Sequence, residues 1–261
     1  MSTLGPSPGT QVRGFFMPGH ANAAQPVIDT IGMANPSRRG VKNHIAYDRG
    51  ELLSKTLTPG NVENRLSERY DGAIGQLNHW VDQLRATTRE SIPYFDPRAA
   101  STGAKVLMLL QDPSGAADGE SGFISLHNND QTAHNVYQLC EETSLRYTDY
   151  VPWNVIPWWV ANPAKGRRTL AGEARRARRY LDEVIDLLPG DLAAVIVMGK
   201  SQTWPAWHAS VGKNHRRFRG AEVLFTAHPG PRSINQPDKD TRRRNREDIA
   251  AAFAHVASLV R

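Results

Sequence analysis

Four short apolar runs, at Val106 to Leu110, around Tyr147 to Asn154, at Ala193 to Met198 and at Glu222 to Thr226, alternate with helical patterns. Those patterns fall at about Thr132 to Glu142, Leu170 to Leu188, Ser201 to His208 and Arg242 to Leu259. Strands that alternate with helices argue for a largely parallel sheet covered on both faces. The order predicts a single three-layer α/β/α domain with a mostly parallel central sheet. Ahead of it, Leu66, Tyr70, Ile74, Leu77, Val81 and Leu84 recur at steps of three and four, which predicts one packing helix within about Asn61 to Arg89. Pro93 and Pro97 break the chain before the first core strand. Residues 1 to about 40 are rich in Gly, Pro, Ser, Ala and Asn without sustained periodicity, so a flexible extension is expected there. Residues 41–100 then form a helical part packed on an α/β core at 101–261.

A chain of 261 residues has room for one full α/β domain and little for a second. Its formal charge of +6 is carried mostly by arginine, which favours bidentate phosphate contacts over simple solvation. Basic residues bunch in Lys165 to Arg179, in Lys213 to Arg219 and in Arg232 to Arg246. The first group reads equally well as a solvated helix face. Cys140 is the only cysteine, which excludes an intramolecular disulfide and a cysteine-ligated iron–sulfur cluster. No apolar stretch approaches the roughly 18 residues that span a bilayer, and the N-terminus lacks the pattern of a signal peptide. The expectation is an intracellular, cytoplasmic protein with no membrane partner.

Polar groups stand where the apolar runs end. Asp112 lies in Leu110-Gln111-Asp112-Pro113, Asn154 in Trp153-Asn154-Val155, and His228 in Ala227-His228-Pro229-Gly230-Pro231-Arg232-Ser233. In an open α/β sheet the carboxyl ends of the strands form the ligand crevice, so an acid, an amide and an imidazole delivered there can meet one substrate. Taken singly, an Asp-Pro after a strand reads as a turn, a His-Pro as a loop, and a strand-end Asn as a cap for backbone groups.

In this order and spacing the motifs resemble the uracil-DNA glycosylase superfamily, whose main family carries G-Q-D-P-Y-H, then a strand-end Asn, then H-P-S-P-L-S. Val195 to Ser201 looks like the strand-glycine-helix segment preceding the last motif, and the resemblance covers roughly residues 104 to 235. It implies a uracil-DNA glycosylase-like fold and a metal-independent, cofactor-free, monomeric enzyme. Its partner would be DNA, duplex or single-stranded. Such an enzyme flips a pyrimidine from the stack and hydrolyses its N-glycosidic bond, in base excision or in restriction of modified viral DNA.

By that resemblance Asp112 positions water and meets the positive charge on the sugar, and His228 donates to the base O2, for which a neutral imidazole suffices. Gln111 contributes backbone hydrogen bonds, Phe123 is the ring on which the base stacks, and Asn154 reads the pyrimidine edge. The Asn154 amide suits uracil in one orientation and cytosine in the other. Arg232, Ser233, Lys200, Ser201, Arg216, Arg217 and Arg219 would contact DNA. No lysine is placed at the site, so no Schiff-base step is implied.

Three departures matter. Ser114 and Gly115 replace the Tyr-His pair, and that tyrosine is the wall that excludes a C5 substituent. Gly230 replaces serine, and Arg232 replaces the wedging leucine, as in the single-strand-selective branch, which tolerates a C5 hydroxymethyl group. Trp153, Trp158 and Trp159 crowd the middle motif, either as core or as the lining of an enlarged pocket. Uracil and C5-modified pyrimidines both remain open as substrates. Gly199-Lys200-Ser201 mimics a P-loop end, but Ala194 stands where its first glycine belongs. His127, Asp130 and His134 have no metal-ligand spacing. The competing readings are a catalytically silent nucleic-acid-binding module on the same fold, and a small-molecule hydrolase or transferase.

Overall fold

A computed structural model describes residues 38–115, 117–188, 191–201, 203–211, 218 and 220–261. The expected flexible extension lies almost wholly outside the described residues. Four strands, β2 (Val106–Leu110), β4 (Tyr150–Asn154), β5 (Ala194–Met198) and β6 (Glu222–Thr226), form an all-parallel sheet in the order β4-β2-β5-β6. A second, two-stranded parallel sheet pairs β1 (Tyr94–Phe95) with β3 (Phe123–Ile124).

Alternate residues of each strand enter opposite cores, as the two-residue period requires. Leu107, Leu109, Val151, Trp153, Val195 and Val197 face one cluster with α3 (Gly75–Thr88), α5 (Leu170–Leu187) and α6 (Thr203–Ser210). Val106, Met108, Ala194, Ile196 and Met198 face the other, with α1 (His44–Asp48), α4 (Gln131–Thr143) and α8 (Lys239–Leu259). The result is the expected three-layer α/β/α arrangement, and Gly40–Arg261 make one compact unit. Among the described residues no helix is long and apolar enough to cross a membrane.

The connection from β2 runs outward to β4, and the next crosses back past β2 to β5. The chain therefore reverses direction at β2, the topological switch point where open α/β sheets form their ligand crevice. Asp112 follows directly on that strand.

The single helix expected within Asn61 to Arg89 is two: α2 (Pro59–Ser67) and α3, joined by a short 3-10 turn at Gly72–Ile74. Gly72 adopts φ +65°, a conformation that side chains disfavour. Gly75 passes so close to Tyr70 that a Cβ there would sit 2.1 Å from the Tyr70 carbonyl oxygen. The apolar steps of three and four continue across the break because both helices pack on the same core, so periodicity alone conceals it.

Candidate functional site

At the carboxyl end of the sheet a cleft of about 680 Å3 is lined by residues from the strand ends, the loops beyond them and the first turns of α4. Gln111, Asp112 and Ser114 enter after β2, Asn154 ends β4, and His228 follows β6; Arg232 and Ser233 come from the short helix α7 (Pro231–Ile234). The three motif residues singled out in the sequence thus meet in one cavity.

Asp112 is held from two sides. Its Oδ2 accepts from the Val160 backbone N–H at 2.8 Å and its Oδ1 from Gln111 Nε2 at 2.6 Å. The segment after β4 makes the first bond possible by zipping onto the end of β2: Val155 N–H donates to the Leu110 carbonyl and Ile156 N–H to that of Gln111. Burial pushes the Asp112 carboxyl above the usual aspartate value, and the two hydrogen bonds only partly offset this. Of the Gln111 backbone groups, to which the resemblance gives hydrogen bonds to the base, the carbonyl accepts from the Ile156 N–H at 2.9 Å.

His228 is seated between two glycines. A Cβ on Gly230 would lie 2.7 Å from its Nδ1, and one on Gly199 would lie 3.2 Å from its Cδ2. The Gly230 N–H donates to His228 Nδ1 at 2.8 Å, so in the neutral ring the proton sits on Nε2. Burial lowers the imidazole to about 4, which keeps it neutral at pH 7. The loop is braced from α4, where the buried Asn135 donates to the Pro229 carbonyl at 2.7 Å. That brace left no mark in the sequence patterns.

Asn154 is 2% exposed and lines the cleft, and its Nδ2 is buried without a hydrogen-bond partner. An isolated donor of this kind is rare in native interiors.

Several expected residues are placed elsewhere. Phe123 is fully buried, pairs with Tyr94 across β1 and β3 and packs in the core; its neighbour Ile124 lines the cleft instead. Strand alternation sends consecutive side chains to opposite faces, so the motif match is one residue out of phase. Trp153 stacks on Phe95 at 3.8 Å, and Trp158 is buried with its Nε1 donating to Glu173 at 2.7 Å. Both are core. Trp159 covers Gly115, whose Cβ would sit 3.2 Å from the indole. Ser114 is exposed at the cleft, its Oγ accepting from Ala117 N–H.

Lys200 lies outside the cleft lining and binds both oxygens of Asp248 at 3.0 Å; Asp248 also accepts from the Ala227 N–H at 2.7 Å. The pair therefore supports the backbone leading into His228. Ser201 is exposed and outside the lining, whereas Ser233 lines it and accepts from Asn245 Nδ2. Arg216, Arg217 and Arg219 lie outside the described residues.

Sequence reasoning missed Lys42, Asn128 and Asp130, which all line the cleft. Asp130 caps α4 by accepting from Ala133 N–H at 2.9 Å, and burial raises its carboxyl. Lys42 is positioned by Asn129, whose Oδ1 accepts from the Lys42 backbone N–H at 2.8 Å. His127 goes the other way, into a buried group in which Arg65, Ser125 and Tyr147 all donate to Asp96. Burial opposes protonation of His127, but Asp96 and Glu51 outweigh it and raise its pKa.

No family model matches the chain, and no curated protein matches it by sequence.

Proposed function

We propose that this protein is a DNA glycosylase that flips a pyrimidine, uracil or one modified at C5, and hydrolyses its N-glycosidic bond to leave an abasic site. The observation that carries this reading is His228: a neutral imidazole whose Nδ1 is already occupied, leaving Nε2–H as a donor in the cleft that also holds Asp112. A leaving pyrimidine gathers negative charge on O2, and a donor held in place beforehand stabilises it without reorganisation. Asp112, fixed by Val160 and Gln111, presents negative charge to the oxocarbenium-like sugar and orients the attacking water. Its desolvation strengthens both effects. Asn154 supplies the edge contact.

The size of the cleft and its small residue at 114 favour substrates with a group at C5. Sites of roughly 300–1,000 Å3 take ligands well beyond one ring, and here Ser114 leaves open the place of the excluding tyrosine. Arg232, exposed at the rim, would fill the gap left by the flipped nucleotide.

The test is release of free base from oligonucleotides carrying uracil or C5-substituted pyrimidines, by the natural protein and by Ser114→Tyr. The expectation is that the tyrosine abolishes release of C5-substituted bases and spares uracil. Rejection of every C5-substituted base by the natural protein would overturn the modified-base preference.

A further inference from the structure

Building on the glycosylase reading, we propose that Asn128 is a second base-reading residue, whose Oδ1 accepts a hydrogen bond from an N–H or O–H at C4 or C5 of the flipped pyrimidine. Asn128 reaches the cleft from the loop before α4, not from a strand end, and is 5% exposed. Its amide orientation is fixed because Nδ2 donates to the Phe123 carbonyl at 2.9 Å. Its backbone is fixed as well: its carbonyl accepts from Asn43 Nδ2 at 3.1 Å and from Asp130 N–H at 2.9 Å. What remains is Oδ1, buried and without a donor.

A buried acceptor with no partner has lost its hydration and gained nothing, so native folds keep few of them. The same cleft holds the complementary orphan, the donor Asn154 Nδ2. One unpaired acceptor and one unpaired donor, on two residues that line a single cavity, call for a ligand that offers both. On a pyrimidine, O4 or N3 answers the donor. The acceptor is answered by an exocyclic amine at C4 or by a hydroxyl on a C5 substituent. Unsubstituted uracil has a single edge N–H, which Asn154 Oδ1 takes, and the methyl of thymine has none to give. The favoured substrates are therefore pyrimidines that carry one more donor.

The experiment uses oligonucleotides with a 2′-fluoroarabino sugar, which resists hydrolysis, carrying uracil, thymine, 5-hydroxymethyluracil, cytosine or 5-hydroxymethylcytosine. Affinity is read by fluorescence anisotropy, and base release is read in parallel on the cleavable counterparts. The full chain should bind a donor-bearing base about tenfold more tightly than its donor-free counterpart, the worth of one hydrogen bond whose loss leaves its partner buried. Preference for 5-hydroxymethyluracil over thymine locates the donor at C5; preference for cytosine over uracil locates it at C4. Asn128→Ala should erase the preference, and Asn128→Asp, which keeps an acceptor but loses the bond to Phe123, should retain it. Thermal melting of both variants checks that they fold. An equal loss across all bases in Asn128→Ala, or an unchanged preference, would overturn the proposal and leave Asn128 as a brace for the Phe123 carbonyl. Selective binding without release from any cleavable oligonucleotide would instead overturn the glycosylase reading and leave the role of Asn128 standing.

Discussion

His228 sits in a space that only glycine permits on two sides, at 199 and 230, and its depressed pKa follows from that enclosure. The sign of its effect on stability is fixed by the direction of the shift. A histidine whose folded pKa lies near 4 contributes stability that is present above its unfolded value of about 6.5 and is lost as the pH falls toward 4. The loss is about 3 kcal/mol. Urea unfolding between pH 7 and pH 4 should therefore have a component that disappears in His228→Asn; an identical pH dependence in the variant would contradict the enclosed, neutral ring. Asp112, His228 and Asn154 were legible in the sequence because each ends an apolar run, and a parallel sheet sends such ends to one edge. Asn128, Asp130 and Lys42 were not. Loops bring them to the cleft, and their positions depend on the side chains of Asn43 and Asn129, which carry no periodic signal.

The elements themselves followed the apolar pattern closely where one face had to be buried. β2 and β6 run over the expected residues, and α5 over nearly all of them, while β4 is shortened by a 3-10 turn at Tyr147–Asp149. The pattern failed between α2 and α3, where backbone contact and not side-chain burial decides the break. Gly75→Ala would drive a methyl group into the Tyr70 carbonyl, and the helix start must move to relieve it. A destabilisation of about 2 kcal/mol or more is expected, within the range for steric overpacking. Gly60, in the first turn of α2, has open space around its missing Cβ, so Gly60→Ala should be neutral or stabilising by up to about 1 kcal/mol. Denaturant midpoints of the two variants measure the contrast; equal effects would mean that the close approach at Tyr70 does not set the break.

At the scale of the whole molecule, the reversal of strand order at β2 creates the crevice, and the residues that fill it hold it away from its most stable form. Burial raises the folded pKa of Asp112, so its contribution to stability is present at low pH and is lost as the pH rises through that value. The proposed glycosylase role is what would give that carboxylate its use. Asp112→Asn should accordingly melt at a higher temperature than the natural protein. The most direct measurement is single-turnover base release by both proteins on one pyrimidine-containing oligonucleotide, with DNA binding measured alongside. The natural protein should release free base and leave an abasic site, and Asp112→Asn should bind the same DNA but release base about two to four orders of magnitude more slowly, as expected when a preorganised electrostatic group is removed. Undiminished release by the variant, or DNA binding by the natural protein with no base released at all, would contradict the account.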